Sequence, residues 1–256
     1  MANSMTLVAL QGVPLVKPGD NLTQVIKAGL IESQITLEDG DIIVLAQKIV
    51  SKAENRYVNL GTVTPSDDAI ELARKVDKDP RLVEVILRES EEVVRFRPGV
   101  LIVQNKLGFV HANAGVDKSN VPHSGGEDST ALLLPENPDA SAQILKKSIR
   151  STFNVDISVI INDSFGRAWR HGTVGMAIGS AGFPPLLDLR GEKDLFGRVL
   201  EITQVAIADE LAAAASLLMG QAGEGTPIVV IKGVKLPPSD DNVSALIRPK
   251  TEDLFR

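Results

Sequence analysis

The sequence predicts a fold that combines β-strands and α-helices, and three observations carry that reading. Short β-branched apolar runs at residues 41–46, 157–161 and 228–231 have the length and composition of buried strands. Segments 21–30, 66–76, 80–86 and 139–152 instead follow capping Asn, Ser or Asp residues, with apolar residues at helical spacing. Polar, glycine-bearing stretches at 12–20, 108–122 and 220–227 break up these patterns and read as loops.

Taken in order, residues 7–10 read as a first strand and residues 12–20 as a turn-rich loop. Asn21 caps a helix to about Leu30, and Asp39-Gly40 turns the chain into the strand 41–46. Residues 47–54 carry two lysines four apart, Lys48 and Lys52. Read alone this segment is a solvated helix start. Beside a phosphate site it supplies a point charge. Pro65-Ser66 and Asp79-Pro80 open two helices, and residues 100–103 form a short strand. Residues 123–129 continue the polar segment as a loop. Asn137-Pro138 opens the helix 139–152, with Ile144, Leu145 and Ile149 on one face. The run 157–161 leads directly into Asn162-Asp163-Ser164-Phe165-Gly166-Arg167-Ala168-Trp169-Arg170-His171-Gly172, read as a strand tip and a loop. Residues 173–182 alternate small and apolar side chains. Asp194 is expected to open a long, alanine-rich helix ending at Met219, with Gly220 as its C-cap. The strand 228–231 and a proline-bearing surface tail follow.

Candidate chemistry gathers in three polar stretches. Asp163 beside Ser164 is a hard-oxygen pair suited to Mg²⁺ or Mn²⁺. Arg167 and Arg170 can each grip a phosphate or carboxylate with two parallel hydrogen bonds. Asp117 with Asn120, and Gln221 with Glu224, supply further oxygens. If the three stretches meet, their oxygens can hold one or two hard cations, and nearby lysines and arginines can hold phosphates. That is the composition phosphoryl transfer requires. Neither a Gly-x₄-Gly-Lys-Ser/Thr phosphate loop nor a Gly-x-Gly-x-x-Gly dinucleotide fingerprint occurs.

Composition narrows the classes. The net charge of −6 comes without any basic cluster, which argues against a nucleic-acid partner. With no cysteine, disulfides, thiolate metal sites and cysteine nucleophiles are excluded. No signal-peptide pattern opens the chain and no run approaches the roughly 20 apolar residues that span a bilayer. No membrane partner is therefore expected, and the expected location is cytoplasmic.

Ordered motifs over nearly the whole chain carry a resemblance. They are Gly12-Val13-Pro14 with Lys17-Pro18-Gly19-Asp20, residues 47–54, Ala114-Gly115-Val116-Asp117-Lys118-Ser119-Asn120-Val121, Leu132-Leu133-Leu134-Pro135, Asp163-Ser164-Phe165-Gly166-Arg167, Asp188-Leu189-Arg190-Gly191 and Met219-Gly220-Gln221. Together they resemble the coenzyme F420-0:L-glutamate ligases, the γ-glutamyl ligases of deazaflavin cofactor biosynthesis. Ala168 stands where the family pattern has proline, and Asn55 where it has glycine.

The resemblance implies an α+β fold of mixed sheets with packed helices, in an intertwined homodimer. It implies one ligase domain over 1–256, with two subdomains as an option and no C-terminal nitroreductase-like domain. The implied reaction uses GTP to activate a carboxylate of F420-0 as an acyl phosphate, which the amine of L-glutamate attacks; repetition extends a γ-linked tail. The resemblance puts the divalent metal, Mg²⁺ or Mn²⁺, at Asp117, Asp163, Ser164 and Gln221, with K⁺ as a further candidate ion. It puts GTP along Val13, Pro14, Leu15 and Val16, at Gln47, Lys52 and Asn120, and along Met219, Gly220, Gln221, Ala222, Gly223, Glu224, Gly225 and Thr226. Lys52 is the phosphate lysine on this pattern. Arg167 and Arg170 are candidates for the γ-phosphate or the substrate carboxylates on charge alone. The competing readings are a metal-dependent nucleotide phosphohydrolase and a nucleotide-binding protein without turnover.

Overall fold

The computed structural model describes residues 4–121 and 130–254, so the loop expected at 123–129 lies outside the described residues. In chain order the elements are β1 (Thr6–Ala9), α1 (Leu22–Glu32), β2 (Ile42–Ala46), α2 (Gln47–Ala53), β3 (Tyr57–Asn59), α3 (Asp67–Val76), α4 (Pro80–Arg88), β4 (Ser90–Arg97), β5 (Val100–Asn105) and β6 (Val110–Ala112). Then follow β7 (Thr130–Leu132), α5 (Pro138–Phe153), β8 (Ser158–Arg167), β9 (Arg170–Ala181), β10 (Leu187–Asp188), β11 (Gln204–Val205), α6 (Ile207–Met219) and β12 (Ile228–Lys232). Mixed sheets with packed helices make this an α+β architecture.

The central sheet runs β1-β12-β2-β8-β9. Within it only β2 and β8 are parallel, with Ala46 beside Asn162; the other pairs are antiparallel. The pleat explains why β2 is apolar at every position. Ile43 and Leu45 face a core with α1 and α5, while Ile42 and Val44 face α6 on the other side. Each fully buried aliphatic side chain contributes about 1.5–3 kcal/mol, so the two-faced burial of β2 makes it the mechanical centre. A separate apolar cluster joins α3 and α4 to the sheet β4-β5-β6 and the pair β3-β7, around Leu60, Val83, Ile86, Leu101 and Val103.

Local signals place most ends. The Asn21 side chain accepts from the N–H groups of Thr23 (2.9 Å) and Gln24 (3.2 Å) at the start of α1. Ser66, Asp79 and Asn137 cap α3, α4 and α5 in the same manner. Asn55 adopts φ 56°, a left-handed conformation that asparagine tolerates, so the residue replaces glycine there with little strain.

Three expectations need correction. The long helix from Asp194 does not form; α6 begins at Ile207. Asp194 instead accepts from the N–H groups of Phe196 and Arg198, both at 2.9 Å, and Gly197 sits at φ 85°, so this segment turns back as an arm. Ile144 is exposed, although Leu145 and Ile149 on the same helix are buried. The polar stretch after Ile161 is not a loop: β8 continues through Arg167 and returns as β9, which makes it a hairpin with Trp169 (φ 65°) at its turn. No helix among the described residues is long and apolar enough to cross a membrane.

Candidate functional site

The three polar stretches meet at the C-terminal ends of the parallel pair, where β2 passes into α2 and β8 into its hairpin. Parallel strands direct their loops to that edge, the usual place for ligands in such sheets. Three hydrogen bonds, with the pairing of Ala46 beside Asn162, close the stretches into a ring. Lys52 Nζ donates to the Asn120 carbonyl at 2.6 Å, Asn120 Nδ2 donates to the Ala222 carbonyl at 3.1 Å, and Ser164 Oγ donates to Gln221 Oε1 at 2.7 Å.

Asp117 is held from its backbone by a two-way bridge to Leu132 of β7, with distances of 3.0 and 2.8 Å. Its carboxylate accepts from Ser119 N (2.8 Å) and Ser119 Oγ (2.9 Å), and pairs with Lys48 Nζ at 2.7 Å. Burial raises its pKa, but the Lys48 ammonium and the Ser119 donors outweigh that, and the carboxyl stays below its ordinary range. Asp163 behaves in the opposite way. Burial, with Asp117 adding repulsion, pushes its pKa up to about 6 despite the Ser164 N–H, Lys48 and a hydrogen bond from Gln47. Gln47 is itself buried; its amide oxygen accepts from Ser51 Oγ at 2.9 Å.

Lys48 and Lys52 lie one turn apart on α2 and both turn to the 117–120 segment, rather than one facing the site and one facing away. Burial, and then the neighbouring Lys48, lower the Lys52 ammonium below its usual range. The loop that carries Val13, Pro14, Leu15 and Val16 is tied to this helix by Gly19 N–H donating to the Ala53 carbonyl at 2.9 Å. Val16 packs into the core and Leu15 is exposed.

The 219–226 stretch is arranged around its own carboxylate. Ala222 N donates to Glu224 Oε2 at 2.8 Å, and Gly220 stands at φ 70° and ψ −176°, a backbone conformation essentially confined to glycine. Thr226 Oγ1 donates to the Leu218 carbonyl at 3.0 Å, and Met219 is buried, so these two serve the loop's geometry. Gly223 and Gly225 leave open space beside the loop. Arg167 and Arg170 are not in the ring. They pair across the turn of the hairpin, exposed, with Arg167 Nη1 donating to the Gly172 carbonyl at 3.2 Å.

Sequence reasoning missed two contributors. Lys48 lacked any signal that distinguished it from a solvated lysine. Asn162 was visible only as part of a polar run; it is buried, donates to Ser216 Oγ at 2.9 Å, and its Oδ1 has no partner. Among the described residues no group of three or more His, Cys, Asp or Glu converges. A cation here would therefore rest on two carboxylates helped by the Ser164 hydroxyl and the Gln221 amide oxygen. An all-oxygen set fits a hard divalent ion, and an under-compensated Asp163 beside Asp117 is the electrostatic environment that favours one.

Comparison with known proteins is consistent from end to end. Residues 12–233 match the family described as F420-0:Gamma-glutamyl ligase. A protein of Methanothermobacter thermautotrophicus named coenzyme F420:L-glutamate ligase is 46% identical over 254 residues, which is 98% of this chain and 99% of that protein. Proteins of the same name from Methanocaldococcus jannaschii (46% over 246 residues, 95% and 94% of the two chains) and Archaeoglobus fulgidus (41% over 247 residues, 96% and 94%) are similarly close.

Proposed function

Since the chain belongs to the F420-0:gamma-glutamyl ligase family, we propose that it joins L-glutamate to the deazaflavin coenzyme F420-0 in a reaction driven by GTP. The observation that carries this reading is the ring that Lys52, Asn120, Ala222, Gln221 and Ser164 form with the β2–β8 pairing, beside the carboxylates of Asp117 and Asp163. A ring of that composition suits a nucleotide triphosphate with a divalent ion.

In the proposed reaction a carboxylate oxygen of F420-0 attacks the γ-phosphorus of GTP, giving an acyl phosphate and GDP. The α-amine of L-glutamate then attacks the acyl carbon. The C–N bond forms, the C–O bond to phosphate breaks, phosphate leaves and the amine loses a proton. A second round on the γ-carboxylate extends the tail. Asp117, Asp163, Ser164 and Gln221 would hold Mg²⁺ or Mn²⁺, with K⁺ as a further ion. When bound, such an ion would supply positive charge that offsets the charge developing on the transferred group. Lys52 is proposed to steady a phosphate as a point charge. The Val13–Val16 segment, Gln47, Asn120 and the 219–226 loop are proposed to frame the nucleotide. Arg167 and Arg170, exposed at the turn of the hairpin, are proposed to meet substrate carboxylates. We further propose a homodimer, supported by the exposed apolar arm at Leu195, Phe196 and Ile202.

The test is mass spectrometry of the purified chain incubated with F420-0, GTP, Mn²⁺ and L-glutamate. The expected result is F420-0 extended by one or more glutamates, with GTP loss that depends on L-glutamate. GTP loss without L-glutamate dependence would favour a phosphohydrolase, and neither product nor GTP loss would overturn both.

A further inference from the structure

The Lys48 ammonium lies 2.7 Å from Asp117 Oδ2 and donates to Ser119 Oγ at 2.5 Å, while that hydroxyl donates to Asp117 Oδ2 at 2.9 Å. Lys48 is therefore bound to the carboxylate it faces through one direct and one relayed contact. A partly buried carboxylate is unfavourable unless a positive charge compensates it, and at Asp117 that charge is the Lys48 ammonium. The position is set by the fold: α2 begins directly at the end of β2, one residue after Ala46 pairs with Asn162, and Lys48 is its second residue. Lys52, one turn on, holds a carbonyl instead and leaves the Asp117 carboxylate to Lys48.

We propose that Lys48 is a built-in counter-cation, a positioning residue that holds the Asp117 carboxylate in place until a divalent ion displaces its ammonium from Asp117. This rests on the reading that the ion binds at Asp117 and Asp163. Entry of the ion breaks the Lys48–Asp117 pair, and the released ammonium continues to repel the ion. Both effects weaken metal binding, so the lysine lowers metal affinity while it stabilises the metal-free site.

The experiment measures Mn²⁺ binding to the full chain by titration with electron paramagnetic resonance of free Mn²⁺, and thermal unfolding in EDTA and in saturating Mn²⁺. For Lys48→Met the expected result is Mn²⁺ binding tighter by about ten- to a hundredfold, the equivalent of one charge-assisted hydrogen bond no longer broken on entry. In EDTA the variant should melt below the parent, and Mn²⁺ should remove that deficit. Lys48→Gln keeps a hydrogen-bonding side chain without the charge and should move the affinity in the same direction, which guards against a folding defect of the methionine variant. Unchanged or weaker Mn²⁺ binding in both variants would overturn the counter-cation role. Asp163→Asn separates this from failure of the metal reading. If it binds Mn²⁺ as the parent does, the ion is elsewhere and the metal site falls together with the role of Lys48. If it loses Mn²⁺ while both Lys48 variants are unchanged, only the role of Lys48 falls.

Discussion

Asn105 Nδ2 lies 3.1 Å from His111 Nε2. The amide oxygen of Asn105 already accepts from the N–H groups of Leu107 and Phe109, both at 3.0 Å, so the amide nitrogen must face the ring. An amide nitrogen only donates. His111 Nε2 is therefore an acceptor and the ring proton sits on Nδ1. The neutral ring stacks on Phe165 with centroids 4.3 Å apart, beneath the hairpin that carries Asp163 and Ser164.

That arrangement predicts acid sensitivity. Burial pushes the His111 pKa down to about 4 from 6.5. Between those values the unfolded chain binds the proton and the folded chain does not, so stability falls as pH drops from 6.5 to 4 and this contribution is intact above 6.5. The loss amounts to about 3 kcal/mol at full effect. Urea midpoints at pH 7.5 and 4.5 should fall less steeply in His111→Gln than in the parent. Identical pH slopes would show that the imidazole is not the group responsible.

The carboxylate pair predicts a separation of folding from chemistry. Asp117→Asn and Asp163→Asn should each abolish ligation at saturating Mn²⁺ while circular dichroism stays native-like, because each removes a formal charge facing the ion. Near-normal product from either well-folded variant would refute its role.

The two lysines on α2 predict unequal effects on nucleotide use. Lys52→Met should reduce kcat/KM for GTP by about ten- to a hundredfold, the worth of one hydrogen bond to a charged group. At saturating Mn²⁺ the effect of Lys48→Met should be much smaller, since Lys48 faces Asp117 and Ser119. Steady-state kinetics at fixed metal and L-glutamate decide between them; equal losses would mean that both lysines touch phosphate.

The exposed arm predicts assembly. Leu195, Phe196 and Ile202 are 99%, 96% and 87% exposed, and exposed apolar surface of this kind favours association. Light scattering at micromolar concentration should give a dimer, and Leu195→Asp with Phe196→Asp should give a monomer. A parent that scatters only as monomer would remove the dimer from the picture.

What was legible in the sequence follows its physics. Strands buried on both faces, such as β2 and β12, stand out because every position must be apolar, and capped helices stand out because Asn21, Ser66, Asp79 and Asn137 have few other reasons to sit where they do. β4 was missed because its Ser-Glu-Glu-Val-Val-Arg-Phe-Arg sequence carries charge on a half-exposed, bulged strand. The helix expected from Asp194 failed because an aspartate that can cap a helix can equally hold a tight turn, and Gly197 decided for the turn. At the site, the polar stretches were visible as residue types. Their meeting was not, because hydrogen bonds such as Asn120 to Ala222 join distant segments and leave no local pattern.

The parallel pairing of Ala46 with Asn162 carries a consequence for the order of folding. Everything numbered between these two residues, including the separate cluster around Leu60, Val83 and Leu101, is a single excursion that leaves β2 and returns beside it. Closing so long a loop is entropically unfavourable until contacts within it shorten the effective span. The excursion should therefore gain protection first and the β2–β8 seam last, with the ring of polar residues appearing only in that final step. Pulse-labelled hydrogen exchange during refolding would detect this as early protection at Leu101 and Val103 and late protection at Val44 and Ile160. Early protection at the seam would mean that β2 and β8 find each other before the excursion is built.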